Sequence, residues 1–269
     1  MIATLGSKAV QDVINAGRFG RFAWRSTVTS IRRCAHRQTY PLVWNQVNII
    51  GVRSVPVIMI TGAFVGMTLA VQAYDQLAGM GLEEHLGVLI NISVVKELGP
   101  VLAAVMLAGR IGGALTAELG TMNVTEQIDA VRSMGTDPIG YLVVPRFLAC
   151  LILTPVLIIY ADLMGVVGGA LVSFLQLGIN SRAYWNFSAS GVELWDVSIG
   201  VVKGFFFGGA IAIISCHKGF TCKEGAHGVG QACTEAFVAS FISILALDFA
   251  LAVVFKGIYL TFWPLKSLV

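Results

Sequence analysis

Five long apolar stretches are the feature of this sequence that most restricts its fold. An apolar helix of about 20 residues is enough to cross a bilayer. Hydrophobic residues make up 56% of the 269 residues and charged residues only 12%, against roughly a quarter charged in a typical globular domain. Together with a mean hydropathy of +0.80, this excludes a disordered chain and an ordinary soluble enzyme, and predicts an all-α integral membrane protein. The predicted spans cover residues 51–74, 86–115, 141–177, 197–216 and 237–262.

The segment before the first span, residues 1–50, is basic. Hydrophobic side chains alternate there with seven Lys and Arg residues, a pattern typical of helices that lie in the membrane interface. We therefore predict a basic interfacial, or elbow, helix region over residues 1–50 and a five-helix transmembrane domain over residues 51–269. A solvated basic tail is the alternative for the first region.

Lysine and arginine are distributed unevenly between the two predicted sides of the membrane. The basic leader and the loops 116–140 and 217–233 fall on one side, whereas the loop 75–85 on the other side carries three acidic residues and no basic residue. Because cytoplasmic loops are enriched in Lys and Arg, the bias predicts a cytoplasmic N-terminus. Five spans then place the C-terminus on the opposite side.

Charged residues inside the apolar stretches are candidate functional positions. Lys203 lies in the fourth stretch and Asp248 in the fifth, at depths that allow an ion pair. Glu97 precedes Gly99 and Pro100, where a helix is expected to break and to line a cavity. Charges at this depth cost about 3 kcal/mol and usually face a bundle interior or a water-filled cavity. They therefore indicate either a transport pathway or static pairs that fix helix register.

A short amphipathic helix, at about residues 124–134, is predicted between the second and third spans. Asn123 is a candidate N-cap, and Gly135 is a candidate stop. Val124, Ile128 and Val131 recur on one helical face. In a transporter driven by a separate ATPase, such a helix sits in a groove of the ATPase and transmits its motion. An ordinary interfacial connector is the alternative. The exposed polar residues are Glu126, Gln127, Asp129 and Arg132.

Sequence patterns for intrinsic catalysis or nucleotide binding are absent. There is no G-x-x-x-x-G-K-[ST], no H-E-x-x-H and no G-x-S-x-G. Cysteines and histidines cluster between residues 216 and 233, but their spacings match no compact zinc finger. A net charge of only +3 favours no acidic polymer as a partner. We therefore expect no catalytic residue, no metal ion and no nucleic acid.

Two runs resemble a known family. TAELGTMNVTEQIDAVRSMGTDPIGYLVVPR, at residues 116–146, closely resembles the signature of the MlaE/YrbE family of ABC-transporter permeases. KELGPVLAAVMLAGRIGGALTAELG, at residues 96–120, resembles the segment that precedes it in that family. The leader, the GAFVGMTLAVQAY segment and the ALDFAL segment also match in order and spacing, so the resemblance covers nearly all of the chain.

The resemblance implies a homodimeric permease of the bacterial inner membrane, with an interfacial helix, five transmembrane helices and a coupling helix. Such a permease moves phospholipids between the inner membrane and the outer envelope and supports outer-membrane lipid asymmetry. ATP and Mg²⁺ are then bound by a separate cytoplasmic ABC ATPase, and the permease itself holds no cofactor besides the transported phospholipid. A periplasmic hexamer of an MCE-domain protein and, often, a STAS-domain protein complete the implied assembly, and the C-terminus is implied to be periplasmic.

The same resemblance assigns expected roles to individual residues. Glu97 matches the glutamate near the lipid cavity at the dimer centre, and Lys203 and Asp248 match embedded charges of the later helices. Lys96 replaces what is often arginine. Glu126, Asp129 and Gly135 fall in the coupling-helix motif. Residues of the first span are our own candidates for lining the lipid tails, with lipid-facing packing as the alternative: Met59, Phe64, Met67, Leu69 and Val71.

Two other classes of function compete with this interpretation. An ion-coupled secondary transporter or channel would use Lys203, Asp248 and Glu97 as relay groups, although we find no inverted repeat in the sequence. A membrane enzyme would need a catalytic constellation, for which Glu97 with His85 is the best available pair.

Overall fold

The computed structural model describes residues 2–34 and 40–262, and these residues contain helices but no strand. Five of the helices are long and apolar enough to cross a membrane, namely α2, α3, α5, α7 and α8 as bounded below. The predicted all-α architecture with five spans is therefore confirmed. The helices are α1 (Ile2–Cys34), α2 (Tyr40–Ala78), α3 (Glu83–Val124), α4 (Gln127–Ser133), α5 (Ile139–Leu175), α6 (Ser181–Gly191), α7 (Leu194–Phe220) and α8 (Gly225–Phe262).

Three of the five spanning helices, α2, α3 and α7, extend beyond both ends of their apolar stretches, and α5 and α8 extend beyond theirs at the start. Hydropathy detects the hydrocarbon core, whereas a helix continues into the headgroup region with its backbone hydrogen bonds intact. Since α2 begins at Tyr40, the boundary predicted at residue 50 lies inside a helix. Since α8 begins at Gly225, the loop predicted at 217–233 is reduced to residues 221–224. The C-terminus predicted to be periplasmic lies outside the described residues.

Glycines allow α2 and α5 to pack with their backbones in close contact. A Cβ atom added to Gly62 would overlap the carbonyl oxygen of Ala161, and one added to Gly66 would overlap that of Gly165. Small residues at four-residue spacing favour this kind of approach in lipid, where side-chain burial alone gives little driving force. These glycines of α2 therefore serve packing within one subunit.

Glycines of α7 place that helix against α5 and α3. Gly204 faces the backbone of Pro155, and Gly208 faces the carbonyl oxygen of Cys150. One turn before Gly204, an added Cβ at Gly200 would lie 2.7 Å from the carbonyl oxygen of Val95 on α3. As a result α7 lies in close contact with both helices, and residue 203 is enclosed by protein.

The structure replaces the helix break expected at Gly99–Pro100 with a wider helical turn. α3 is continuous, but Val94–Leu98 and Ala108–Gly112 form π-helical turns. A third π-helical turn, Ile139–Val143, opens α5 just before Pro145. Proline has no N–H to donate, so shifting the hydrogen-bond register before it keeps the helix continuous without a broken end.

α1 packs against the ends of α5 and α7 through one of its faces. Ser26 and Ser30 are fully buried, and the ring of Phe22 meets that of His217 with centroids 5.2 Å apart. Trp24 and Ile31 on other faces are more than 70% exposed. One face of α1 therefore packs on the bundle, and the other faces are exposed outside it.

Candidate functional site

A buried lysine joins the intramembrane charges. Lys203 is fully buried, and its Nζ donates a hydrogen bond of 2.6 Å to Oε2 of Glu97. The same Nζ lies 2.8 Å from Oδ1 of Asp248, an ion pair rather than a directed hydrogen bond. The depths of Lys203 and Asp248 in their apolar stretches had already allowed a contact between them, but did not predict that Glu97 takes part.

The π-helical turn of α3 explains how Glu97 reaches this position. Pro100 cannot donate to the carbonyl oxygen of Lys96, its partner four residues earlier in an α-helix. The Nζ of Lys203 donates to that oxygen instead, at 3.2 Å. One ammonium group therefore satisfies a side chain and a backbone oxygen of the same irregular turn. This arrangement fixes the depth of Glu97 relative to α7.

The three side chains are not equally exposed. The side chain of Glu97 is 44% exposed and that of Asp248 is 21% exposed, whereas Lys203 is enclosed. Two carboxylates around one ammonium group give the cluster a formal charge of −1. A second ion pair lies beside it, because Lys96 Nζ is 3.0 Å from Oδ1 of Asp196. The part of the cluster open to a ligand is therefore Glu97.

A cavity of about 290 Å³ opens at Glu97 between α3, α7 and α8. Its charged groups are Lys96, Glu97 and Lys256. Its aromatic wall includes the ring of Trp195, whose centroid is 6.5 Å from that of Phe255. Two ammonium groups and one carboxylate beside an apolar wall suit a ligand with a phosphate or zwitterionic head and apolar tails. Its other lining residues are Ile199, Ala252 and Tyr259.

None of the five residues of α2 predicted to line lipid tails borders this cavity. Met67 and Leu69 pack against a buried cluster formed by α2, α3 and α5 within the protomer. Phe64 and Val71 are exposed on the outer surface, and Met59 is half-buried. These five residues therefore do not share the cavity with Glu97, and their role in lining lipid tails stays a prediction.

The predicted amphipathic helix is present as α4, but it starts later than expected. Val124 belongs to the end of α3, and α4 begins at Gln127. Asn123 does not cap it, because its Nδ2 donates to the carbonyl oxygen of Cys222 at 3.4 Å. The chain turns at Glu126, which has a φ of 59°, a left-handed conformation that is uncommon for a residue with a side chain.

α4 has one buried face and one free face. Ile128 is 3% exposed and packs in the same core as Leu119 and Leu142. Asp129 and Arg132 form an ion pair of 2.8 Å in which both side chains are 67% exposed. The helix is followed by Gly135 at a φ of 73°, which explains the predicted stop. The remaining predicted polar residues, Glu126 and Gln127, are also exposed.

Two ion pairs that were not predicted hold the parts of the chain on either side of α4. Arg146, which is 5% exposed, bridges Glu118 on α3 at 2.6 Å and donates to the carbonyl oxygen of Leu142. Arg25 on α1 pairs with Asp137, in the segment that follows α4, at 3.1 Å. Glu118 and Arg146 lie at the two ends of the run that most closely resembles the family. That resemblance was the only feature of the sequence that pointed to either ion pair.

The structure does not assemble the other candidate chemistries. Among the described residues, no three His, Cys, Asp or Glu side chains are placed to hold a metal ion. Cys222 and Cys233 direct their sulfur atoms at backbone carbonyls of α3. His85 stacks on Phe187 at 4.3 Å, and it precedes Glu97 by twelve residues along one helix. That spacing separates the two by about 18 Å.

Fold and site together define a helical membrane permease, with a charged cavity among its spanning helices and a short helix exposed at one end. Comparison with known proteins makes the class more specific. The family described as "Permease MlaE" matches residues 43–254. The chain is 43% identical to a probable ABC transporter permease protein of Rickettsia typhi, over 91% of this chain and 93% of the relative.

Two further relatives carry more specific names. The intermembrane phospholipid transport system permease protein MlaE of Haemophilus influenzae is 35% identical, over 95% of this chain and 97% of that protein. The chloroplastic protein TRIGALACTOSYLDIACYLGLYCEROL 1 of Arabidopsis thaliana is 34% identical, over 87% of this chain and 62% of that protein. The chain therefore belongs to the MlaE family of ABC transporter permeases.

Proposed function

We propose that this permease moves phospholipids between the bacterial inner membrane and the outer envelope, with energy supplied by ATP and Mg²⁺ on a separate ABC ATPase. The observation that carries the proposal is the cavity at Glu97. A phospholipid has a charged head on two apolar tails, and the cavity offers Lys96, Glu97 and Lys256 beside aromatic side chains. The name of the relative from Haemophilus influenzae supports the same class of substrate.

The coupling helix supports a separate energy source. The exposed face of α4 needs a partner to act on. Ile128 packs α4 against Leu119 of α3 and Leu142 of α5, and the Arg146–Glu118 pair joins those two helices to each other. Motion of α4 would therefore move whole spanning helices and not only a loop. Because ATP is cytoplasmic, we place α4 and the basic leader on the cytoplasmic side and the C-terminus on the periplasmic side.

The working unit that we propose is a homodimer. In the most apolar window of α8 only 11% of the residues are buried. The cavity at Glu97 is also bordered by α8, so a second copy placed there would complete its open side. We propose that the same assembly also contains two ATPase subunits, a periplasmic MCE-domain hexamer and a STAS-domain protein.

The test begins with the complex that co-purifies in mild detergent, reconstituted in nanodiscs containing phospholipid. We expect lipid-dependent ATP hydrolysis and co-purified phospholipid. Glu97→Gln should reduce both, and Glu84→Gln, an exposed carboxylate at the start of α3, is the matched control. If Glu97→Gln keeps full lipid binding and lipid-stimulated turnover, the cavity is not the transport site.

Ion-coupled transport is the second candidate, since the cluster of Glu97, Lys203 and Asp248 contains titratable groups. The geometry supports it less well, because Lys203 has acceptors on three sides and no exposed surface. This alternative requires flux through the chain alone in proteoliposomes under an imposed proton or sodium gradient. Flux that appears only with ATP and a second polypeptide contradicts it.

A further inference from the structure

The end of the bundle that carries α4 has a second cavity, which none of the roles above uses. It measures about 320 Å³ and lies between α1, the end of α7 and the start of α8. We call it the head pocket. Its lining is mostly polar and includes three Lys or Arg residues and one carboxylate: Asn15, Arg18, His217, Lys218, Thr221, Cys222, Lys223, Gly228, Gln231, Ala232 and Glu235.

The head pocket has an excess of positive charge. Lys218 is neutralised, because its Nζ lies 2.7 Å from Oε2 of Glu235, which is held in turn by Gln231. Within the part of the chain that the structure describes, Arg18 and Lys223 pair with no carboxylate. Gly228 adds the first turn of the long helix α8, where N–H groups lack partners within the helix. Two free cations and a helix N-terminus together favour an anion.

An apolar groove of about 420 Å³ adjoins this pocket. We call it the tail groove. The two share a wall, because Phe19 lines the groove, His217 lines the pocket, and their ring centroids are 5.2 Å apart. Small side chains leave the groove unfilled. It is lined by Phe19, Ala23, Ala210, Ile213, Ile214, Ser243, Ala246 and Leu247.

The groove runs from the pocket into the spanning region along α7 and α8. Ile213 precedes His217 by one helical turn. Leu247 lies twelve residues beyond Glu235 on α8, which corresponds to about 18 Å of helix. One leaflet of the hydrocarbon core is about 15 Å deep. The head pocket and the tail groove together therefore extend over about one leaflet along α8, with the polar part at the end where a headgroup would lie.

We propose that the head pocket and the tail groove form a binding site for one anionic phospholipid of the leaflet on the α4 side. Phosphate oxygens meet Arg18 and Lys223, and an acyl chain lies between α7 and α8. This site is separate from the cavity at Glu97 and does not depend on which lipid is transported. A soluble phosphate would use the pocket alone and leave the groove without a role.

The position of the site also connects it to the coupling helix. Cys222 lines the head pocket, and its carbonyl oxygen accepts the hydrogen bond from Asn123 at the junction of α3 and α4. A lipid bound here orders the 221–224 loop on which that junction rests. Occupancy should therefore raise the thermal stability of the permease.

The test is native mass spectrometry of the full-length chain in detergent, titrated with dioleoyl phosphatidylglycerol and, separately, with dioleoyl phosphatidylcholine. The double variant Arg18→Gln/Lys223→Gln should bind phosphatidylglycerol about 20-fold more weakly, since each basic group near an anionic surface is worth roughly fivefold. Arg182→Gln is the matched control, because Arg182 is exposed at the start of α6. Glu97→Gln should still show this lipid adduct, which would place the bound lipid outside the cavity at Glu97.

A second pair of variants tests the groove. Ala246→Phe should fill it and weaken phosphatidylglycerol binding with the basic residues intact, whereas Ile242→Phe, at a position 60% exposed on the same helix, should not. The proposal is overturned if Arg18→Gln/Lys223→Gln binds phosphatidylglycerol like the wild type. It is also overturned if water-soluble glycerophosphoglycerol competes as well as the whole lipid, because the site is then for a free phosphate. If Ala246→Phe fails to fold, the charge variants and the competition decide.

Discussion

Removal of the buried ammonium group is the most direct test of the charge cluster. Lys203→Met keeps a side chain of similar length but leaves Glu97 and Asp248 without their counter-charge. Removing one member of a fully buried pair costs about 3–5 kcal/mol. Glu97 is 44% exposed and Asp248 is 21% exposed, so part of that cost is relieved by solvation. We therefore expect a loss of about 2 kcal/mol in the free energy of unfolding.

The double-mutant cycle separates pairing from packing. Asp248→Asn leaves the 2.6 Å contact between Glu97 and Lys203 and should cost about 1 kcal/mol. Lys203→Met/Asp248→Asn leaves only the solvated Glu97 and should also cost about 1 kcal/mol, well under the additive value of about 3 kcal/mol. The implied coupling energy is about 2 kcal/mol.

The assay is reversible unfolding of the full-length permease in mixed micelles, with increasing sodium dodecyl sulfate. Lys256→Met is the control, since Lys256 is exposed in the same cavity, and it should change stability by less than about 0.5 kcal/mol. The reasoning fails if Lys203→Met is as stable as the wild type. It also fails if the double variant loses the full sum, because the two side chains would then not interact.

Three further outcomes follow from the geometry. Glu126→Arg/Asp129→Arg should lower lipid-dependent ATP turnover by the co-purified complex at least tenfold without unfolding the permease. Near-normal turnover by the folded variant would contradict the role of α4 in coupling. Glu126→Gly should raise the free energy of unfolding by about 1 kcal/mol, because glycine adopts a positive φ without strain. An unchanged melting temperature would contradict this expectation. Gly66→Ala should lower the free energy of unfolding by at least about 2 kcal/mol, because the added Cβ meets the carbonyl oxygen of Gly165. The control is Gly113→Ala, whose added Cβ meets open space and should leave stability unchanged. Equal losses of stability in the two variants would argue against a backbone contact at Gly66.

Hydropathy was sufficient for the number and type of spans, because the bilayer requires a continuous apolar helix for each crossing. The depths of Lys203 and Asp248 along their apolar stretches were sufficient to predict that the two could form an ion pair. The participation of Glu97 could not be read from the sequence, since it depends on the π-helical turn before Pro100 and on the lost donor to Lys96. Pairs such as Arg25–Asp137 join residues 112 positions apart, a separation that no local pattern encodes.

One prediction was wrong because a tertiary contact outweighed a local preference. Asn123 is a good N-cap residue in isolation, but the tertiary contact with Cys222 keeps it in α3. Met67 and Leu69 both pack on one buried cluster, whereas Phe64 and Val71 are exposed, so a role of these residues in lining lipid tails stays a prediction.

The position of the charge cluster on α3 bears on how α4 can influence the cavity. Val124 ends α3 beside α4, and Glu97 lies 27 residues earlier on the same continuous helix, about 40 Å away. A regular helix transmits displacement along its axis, whereas a π-helical turn is a point at which register can change. The turn Ala108–Gly112 lies between the two sites, and Val94–Leu98 contains Glu97 itself. Displacement of α4 would therefore reach the cavity as a change of register at Glu97, where Lys203 holds both the carboxylate and the freed carbonyl oxygen.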